Sequence, residues 1–456
     1  MEPLGHWDAR NKPVGNADQK PGWGLGVKKL KEKKSIAYLS LIFFAFLYFM
    51  RPQDFIPGME SLPLEKIGGG IAMLALIFGV LPKERGKIPI ELKVLLLLLA
   101  QMILTIPFAY WRGGAFDAVF TKFSKGVIIA LLIGLIISSV SQMKTVLYIQ
   151  AGSIAFFAIA SVAAHHTFGG RLYGIQKGIL ENPNDLAINI AINFPLCMAF
   201  MFAAKGGLRK IVWAVSMIVM MYCVLITYSR SGMIALVITC VICLWEYGVK
   251  QKRTMLLMGA GLFGVIALGV SLSTPHFIAR FKSLTQGNIE GSGDRGSLDA
   301  REELLKRSIA LALQHPLFGV GPGNFPVLSG DWHVAHNSYT ELAAEAGFPA
   351  LFLFLLLFAL CFRKVAATRK LPGYEADENI KLWTSALWAG LAAYMFGSMF
   401  ASTEYLLYPY FLVGYVCALY RIAGKTAPAP APATNGGKNG KLKVATTRTG
   451  EYAWSR

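Results

Sequence analysis

The sequence predicts an all-α protein that crosses a membrane many times. Of its 456 residues, 54% are hydrophobic and only 16% are charged, whereas soluble domains carry about 25% charged residues. The mean hydropathy of +0.48 points the same way. The apolar residues are also gathered into long runs, several of which approach the ~20 residues that a transmembrane helix needs. A polytopic membrane protein is therefore the expected class.

The apolar runs predict about twelve transmembrane helices. Several runs are shorter than a full span, so their helices must extend into the neighbouring polar sequence. The runs cover residues 36–50, 67–81, 92–109, 126–140, 146–164, 186–203, 211–228, 232–245, 256–272, 350–362, 383–400 and 405–420.

The basic residues favour an orientation with both termini in the cytoplasm. Five lysines between Lys28 and Lys34 precede the first run, and cytoplasmic segments are enriched in Lys and Arg. If twelve spans follow, the later basic clusters, such as Lys205–Lys210 and Lys250–Arg253, fall on the same side. These clusters, facing anionic lipid, account for much of the net charge of +19. A nucleic-acid partner is not needed to explain it.

The spans divide the chain into five predicted segments. Between spans nine and ten lies the only long hydrophilic stretch, and within it residues 299–313 predict an amphipathic helix that Asp299 caps. The segments are 1–35, a disordered cytoplasmic N-terminus; 36–272, helices one to nine; 273–346, an extracytoplasmic segment; 347–422, helices ten to twelve; and 423–456, a disordered cytoplasmic tail.

The stretch AHNSYTELAAEAGFP, residues 335–349, carries the densest group of polar side chains beside an apolar run. Asn337, Glu341 and Glu345 recur every four residues and would line one face of a helix. His336 precedes them, and an imidazole suits proton transfer near neutral pH. His333 with His336 also allows a metal site, for which Asp331 is the only local support. Ionisable groups at a membrane mark function by default, although a solvated face remains the alternative for the two glutamates.

Two arginines fall at predicted outer ends of spans. Arg171 precedes NPNDLA, where Asn182 can cap a helix whose first residue is Pro183. Such a helix start binds anions, and an arginine can add a bidentate phosphate contact. Arg230 lies in TYSRSG, between two apolar runs. The alternative for Arg171 and NPNDLA is an ordinary helix start on a loop. For Arg230 the alternatives are snorkelling to lipid headgroups and pairing with an internal acid.

A Gly- and Pro-rich loop, HPLFGVGPGNF, separates the amphipathic segment from the histidine motif. Its GVGPG does not have the spacing of a dinucleotide-binding fingerprint, and no strand precedes it. We interpret it as a tight turn that shapes the wall of a cleft.

Four of these motifs, NPNDLA, YSRSG, HPLFGVGPGNF and HNSYTELAAEAG, resemble the signature regions of the O-antigen ligase and polymerase superfamily. The resemblance extends over about residues 70–420. It implies a metal-independent glycosyltransferase of the bacterial inner membrane, without a cofactor. Such an enzyme moves a glycan from undecaprenyl pyrophosphate to a hydroxyl of a glycan, lipid or protein acceptor at the outer face.

The resemblance also implies roles for individual residues. His336 would be the general base, and Arg171 and Arg230 would stabilise the pyrophosphate. Arg301, which otherwise reads as a surface charge, becomes a substrate contact. The remaining expected substrate-binding residues are Asn182, Asn184, Asn324, Asn337, Glu341 and Glu345.

Two other functions remain open at this stage. A polymerase of the same superfamily would use a second lipid-linked glycan as acceptor, and the motifs separate it poorly from a ligase. A transporter for the same lipid would more often carry broken helices at mid-membrane. Because the ionisable groups here are concentrated at the predicted outer face, transport is the less favoured of the two.

Overall fold

The computed structural model describes residues 36–56, 58–59, 62, 64–77, 88–168, 170–175, 180–254, 256, 258–259, 294–330 and 333–426. In these ranges almost all regular structure is helical. The helices are α1 (Ile36–Met50), α2 (Leu64–Ile77), α3 (Ile90–Thr105), α4 (Arg112–Asp117), α5 (Ser124–Ile136), α6 (Val140–Ala164), α7 (Pro183–Ala203), α8 (Gly207–Ile226), α9 (Arg230–Cys243), α10 (Asp294–Gln314), α11 (Phe325–Leu328), α12 (Ser338–Thr368), α13 (Pro372–Ala376), α14 (Glu378–Gly397) and α15 (Tyr408–Lys425).

Three kinds of shorter element complete the described secondary structure: two strands, two π-helical turns and two 3₁₀ turns. Strands β1 (Thr167–Phe168) and β2 (Arg171–Leu172) pair antiparallel, with Phe168 opposite Arg171. Single π-helical turns continue α4 at Ala118–Phe123 and α9 at Leu244–Val249. Single 3₁₀ turns follow α1 and α3, at Pro52–Asp54 and Ile106–Phe108.

The expected class is confirmed, because the described chain holds eight helical stretches long and apolar enough to cross a membrane. They coincide with eight of the twelve predicted runs. The runs 67–81, 383–400 and 405–420 correspond to α2, α14 and α15, which are not among the eight. The run 256–272 and the predicted segments 1–35 and 423–456 lie almost entirely outside the described residues, although α15 continues to Lys425. A total of twelve spans therefore stays a prediction.

Helix α7 is buried on nearly every side, since it packs against α6, α8, α9 and α14. Its buried Asn193 takes part in a small network of side-chain hydrogen bonds. Gln150 of α6 donates to Asn193 Oδ1 over 2.7 Å, and Tyr415 of α15 donates to Gln150 Oε1 over 2.8 Å. Buried amides without such partners would be costly in an apolar bundle, so these bonds fix how the three helices pair.

The helices place the sequence motifs at one end of the bundle. At the C-terminal ends of α9 and α12, buried carboxylates pair with cations: Glu246 with Lys250 and Arg369, and Glu91 of α3 with Lys364. The motifs YSRSG and HNSYTELAAEAG lie at the opposite, N-terminal ends of the same two helices. The start of α9 packs directly on the start of α7, where an added Cβ at Gly232 would come within 2.2 Å of the Cβ of Ala187.

The predicted amphipathic helix is confirmed as α10, but it begins at Asp294 and so includes Asp299 instead of being capped by it. Its apolar side packs on the start of α12. Leu304 and Ala312 join Phe325, Ala335, Ala343 and Ala344 in a small buried cluster. The helix therefore covers the segment that carries the histidine motif.

Helix α12 is broken at Gly347, which has φ 80° and ψ 170°. The break, together with Pro349, frees two carbonyls that a regular helix would bind. Pro349 has no N–H for the carbonyl of Glu345, and the N–H of Phe348 turns away from Ala344 to donate to Pro316. The Gly-rich loop takes their place: Val320 donates to the Ala344 carbonyl and Gly321 to the Glu345 carbonyl, each over 2.8 Å.

The close contact between the loop and the helix break requires glycine at two positions, because a Cβ at either would clash with the facing backbone. A Cβ at Gly347 would lie 2.4 Å from the carbonyl oxygen of Leu317, and one at Gly319, which has φ 64°, would lie 2.2 Å from the carbonyl carbon of Glu345. The loop and the helix break thus meet backbone to backbone. The predicted tight turn is confirmed, and its partner is the helix break.

We expect Gly347→Ala to destabilise the protein, because it adds left-handed strain of about 1–3 kcal/mol and pushes the loop off the helix break. The measurement is the apparent unfolding temperature of the detergent-purified protein. Gly152→Ala is the control, since nothing lies within 4 Å of a Cβ there and alanine is favoured in a helix interior. An unfolding temperature for Gly347→Ala equal to that of the control would refute the role given to the break.

Candidate functional site

A cavity of about 440 Å³ lies between α10 and the loop that precedes α12. Helix α10 contributes Arg301, Glu303 and Arg307 to its wall, and the loop contributes His333 and His336, so the arginines outnumber the acid. Arg307 also donates from Nη1 to the carbonyl of Ser329 over 2.7 Å, which fastens α10 to the loop after α11. The structure therefore brings together two residues from separate motifs, His336 and Arg301, in one cationic cavity.

His336 stands at the turn into α12. Its backbone is left-handed, with φ 54°, a conformation that His adopts more readily than most residues. The next residue, Asn337, caps the helix by accepting from the N–H groups of Tyr339 and Thr340. Burial, together with the nearby charges of Arg301 and His333, lowers the pKa of His336 to about 4. The imidazole is therefore neutral and able to accept a proton at any pH above that value.

Glu345 binds the Gly-rich loop through hydrogen bonds to its backbone. The side chain is fully buried, and its carboxylate accepts from the backbone N–H of Gly323 over 2.7 Å and from that of Phe325 over 2.8 Å. The hydroxyl of Tyr405 donates to it as well. Hydrogen bonds to a carboxylate are about twice as strong as neutral ones, so this one side chain fixes the loop that ends in Asn324 and Phe325.

Glu341 holds the histidine loop in the same way. Its carboxylate accepts from the N–H of Ala335, directly before His336, over 2.9 Å. It also accepts from the hydroxyl of Ser402, in the connection between α14 and α15. The neighbouring Ser338 donates to the carbonyl of Ala401 over 2.7 Å. The α14–α15 connection, the histidine loop and the start of α12 are thereby joined.

A third carboxylate, Glu404, completes this group from the α14–α15 connection. One oxygen from each of Glu341, Glu345 and Glu404 lies within 4.8 Å of the others, and the three residues are 0–3% exposed. Burial and the charge of Glu345 raise the pKa of Glu404 to about 8. Neither Glu404 nor Tyr405 was selected from the sequence. The sequence does carry a signal for Glu404, because an ionisable residue between the apolar runs 383–400 and 405–420 indicates a functional or structural role.

The second group of motif residues surrounds Arg171 on β2. Its Nε donates to the carbonyl of Thr227 over 3.0 Å, and its Nη2 donates to Asn184 Oδ1 over 2.9 Å. Asn182 caps α7, and Pro183 is the first helical residue, as the sequence predicts. Arg171 thus connects NPNDLA to the TYSRSG turn by two hydrogen bonds. Arg230 is the first residue of α9, but its side chain lies outside the described part of the chain.

The two groups adjoin the same helix end. An added Cβ at Gly397, the last residue of α14, would lie 2.9 Å from Ile188 near the start of α7, and the carbonyl of Ser398, the next residue, accepts from the N–H of Ser338 over 2.8 Å.

Asn324, another expected site residue, is fully buried and donates to the Val320 carbonyl over 3.0 Å. Its side-chain oxygen has no hydrogen-bond partner among the described residues.

Fold and site together define a polytopic membrane protein with a cationic cavity and buried carboxylates at one end of its helices. A family profile described as O-antigen ligase matches residues 215–355. The matched range includes YSRSG, α10, the Gly-rich loop and HNSYTELAAEAG, whereas Arg171 and NPNDLA precede it. The match confirms the predicted resemblance to the O-antigen ligase superfamily. Comparison with curated proteins gives no match.

We expect Arg301→Gln to raise the pKa of His336 by about 1 pH unit, because it removes a positive charge that disfavours the imidazolium form. The measurement is an NMR titration of protein labelled with ¹³C at histidine. Lys306→Gln is the matched control: Lys306 is an exposed residue of the same helix, paired with Glu302. A pKa of His336 that starts near 6.5 in the unsubstituted protein, or that ignores Arg301→Gln, would contradict this account.

Proposed function

We propose that the protein is an O-antigen ligase-like glycosyltransferase. It moves a glycan from undecaprenyl pyrophosphate to an acceptor hydroxyl at the outer face of a bacterial inner membrane. The observation that carries the proposal is the cavity whose wall holds both His336 and Arg301. The family match over residues 215–355 supports the same class of reaction.

The transfer step requires a base and a sink for negative charge. The acceptor oxygen attacks the anomeric carbon and forms the new glycosidic bond, with inversion, while its proton passes to the imidazole of His336. The bond between the anomeric carbon and the pyrophosphate oxygen breaks, and its electron pair leaves with the lipid pyrophosphate. Because charge grows on that leaving group, preorganised cations lower the barrier. Arg171, Arg230 and Arg301 supply that charge in our proposal.

The lowered pKa of His336 fits this order of events. In the free protein burial, together with the positive charge of Arg301, lowers the pKa of His336 and so keeps the imidazole neutral and ready to accept a proton. When a pyrophosphate enters, its negative charge offsets that of Arg301, and the imidazolium form becomes more favourable. The base thus strengthens when the donor is bound, which couples proton transfer to donor binding.

Several expected substrate-binding residues act as positioning residues in this scheme. Glu345 and Glu341 hold the two loops through backbone N–H groups, and Asn337 caps the helix behind His336. Asn184 orients Arg171. Asn182 starts α7, whose free N–H groups could bind an anion. Their contribution is the placement of His336 and of the arginines to the accuracy that catalysis demands.

We propose the orientation that the basic residues indicate, with the histidine cavity outside and both termini in the cytoplasm. It is supported by the helix ends opposite the motifs, where Lys250, Lys364 and Arg369 lie. In this arrangement the lipid chain of the donor lies between spans and the glycan beneath α10. The transfer itself draws its charge stabilisation from arginines and needs no metal.

We expect His336→Ala to lower the transfer rate by about 10²–10⁴-fold, the usual effect of removing a positioned base. Binding of lipid-linked glycan should survive, because the arginines remain. The measurement is transfer of glycan by the purified protein, with donor binding followed in parallel. His333→Ala, in the same cavity wall, should stay active. Normal turnover by His336→Ala would remove it as the base.

We expect Arg171→Lys to weaken donor binding and transfer, because lysine keeps the charge but loses the planar fork that reaches both Thr227 and Asn184. Arg230→Lys should act in the same direction. The measurements are affinity for undecaprenyl pyrophosphate and the apparent unfolding temperature, which separates a binding defect from misfolding. Arg209→Lys, on the exposed start of α8, is the control. Wild-type affinity in both variants would exclude Arg171 and Arg230 as contacts of the pyrophosphate.

A further inference from the structure

The three buried carboxylates beneath the loops present a charge problem that hydrogen bonds do not solve. Glu345 is 0%, Glu404 1% and Glu341 3% exposed, and one oxygen of each lies within 4.8 Å of the other two. Burying like charges this closely is strongly unfavourable unless something neutralises them. None of the three takes part in any ion pair among the described residues. The other buried glutamates of the bundle, Glu91 and Glu246, each have a lysine or arginine partner.

Of the three carboxylates, Glu404 has the fewest hydrogen bonds to stabilise its negative charge. Glu345 and Glu341 each accept hydrogen bonds from backbone N–H groups and a hydroxyl. Both oxygens of Glu404, by contrast, are buried and accept no hydrogen bond of good geometry in the described part of the chain. The nearby Ser338 hydroxyl donates to the carbonyl of Ala401 instead, and the N–H of Thr403 donates to Ser338. A buried carboxylate with two unsatisfied oxygens, placed beside two further carboxylates, lacks its positive partner.

We propose that Glu341, Glu345 and Glu404 bind a divalent, oxygen-preferring cation of the calcium class. The donor set consists of carboxylate oxygens alone, which suits Ca²⁺ and Mg²⁺ better than Zn²⁺, whose sites usually contain Cys or His. Oxygens up to 4.8 Å apart can be bridged by one ion with Ca–O distances of about 2.3–2.6 Å. Magnesium is the poorer fit, because it gives up its water ligands reluctantly and the three carboxylates are only 0–3% exposed.

The charge balance also favours two positive charges. Three carboxylates carry three negative charges, and Lys122 is close enough to act on Glu345 electrostatically. A divalent ion added to that lysine brings the sum to zero.

Such an ion would join the three segments that form the site. Glu345 fixes the Gly-rich loop, Glu341 fixes the histidine loop, and Glu404 belongs to the α14–α15 connection. None of the three glutamates lines the cavity of His336 and Arg301. The ion is therefore structural, it takes no part in the proposed transfer, and the inference stands or falls independently of that function.

The test uses the full-length protein in detergent, washed with a chelator and then titrated with CaCl₂ or MgCl₂. Elemental analysis should find about one calcium per chain, retained through the wash or regained with CaCl₂. The apparent unfolding temperature of chelator-stripped protein should rise saturably with calcium and less with magnesium.

Glu404→Gln separates the proposal from its main rival, shared protons. With one charge removed, it should bind no calcium and show no calcium-dependent rise, yet unfold in chelator no earlier than the unsubstituted protein. Glu246→Gln is the matched control, since that buried carboxylate has cationic partners; it should keep the calcium response. An unsubstituted protein with no bound calcium and no response would overturn the cation in favour of protons. A calcium-dependent rise in Glu404→Gln equal to that of the unsubstituted protein would show that calcium binds at another site, and would overturn the proposal.

Discussion

The helix break at Gly347–Pro349 is the constraint on which the candidate site depends. It leaves the carbonyls of Ala344 and Glu345 without their usual helical donors, and two N–H groups of the Gly-rich loop bind them. In an apolar bundle an unpaired carbonyl is costly, so the break and the loop each require the other. The same turn of helix points Glu345 at the far end of that loop. One local irregularity therefore holds the loop at both ends.

The carboxylates of Glu341 and Glu345 accept hydrogen bonds from backbone N–H groups of the loops. This structural role explains why acidic residues lie close to a site that would need cations to bind a lipid pyrophosphate. Glu341 and Glu345 bind loop N–H groups and do not line the cavity, whose wall carries two arginines and two histidines beside one acid, Glu303. His336 lines that cavity, and it is anchored by Glu341 through Ala335 and influenced electrostatically by Arg301.

Much of the helical architecture could be predicted from the sequence, because long apolar runs have few alternatives to helices in a bilayer. Asn182 and Pro183 begin α7 as their capping chemistry requires, and the motifs point to His336 and Arg301, which both line the cavity. Helix α10 begins five residues before Asp299, because a residue that can cap a helix can also lie within its first turns. Glu404 and Tyr405 were missed, since their role depends on a contact with Glu345 some sixty residues earlier in the chain.

The sequence by itself determined the class of protein, the placement of eight apolar helices and the motifs of the O-antigen ligase superfamily, because periodicity, composition and short motifs are local properties. Only the tertiary structure decided which motifs meet. It joined Arg171 to Asn184 and Thr227, placed His336 opposite Arg301, and turned Glu345 towards backbone N–H groups. It also gathered three glutamates into one buried cluster. These pairings span long sequence separations, and the packing of whole helices sets them.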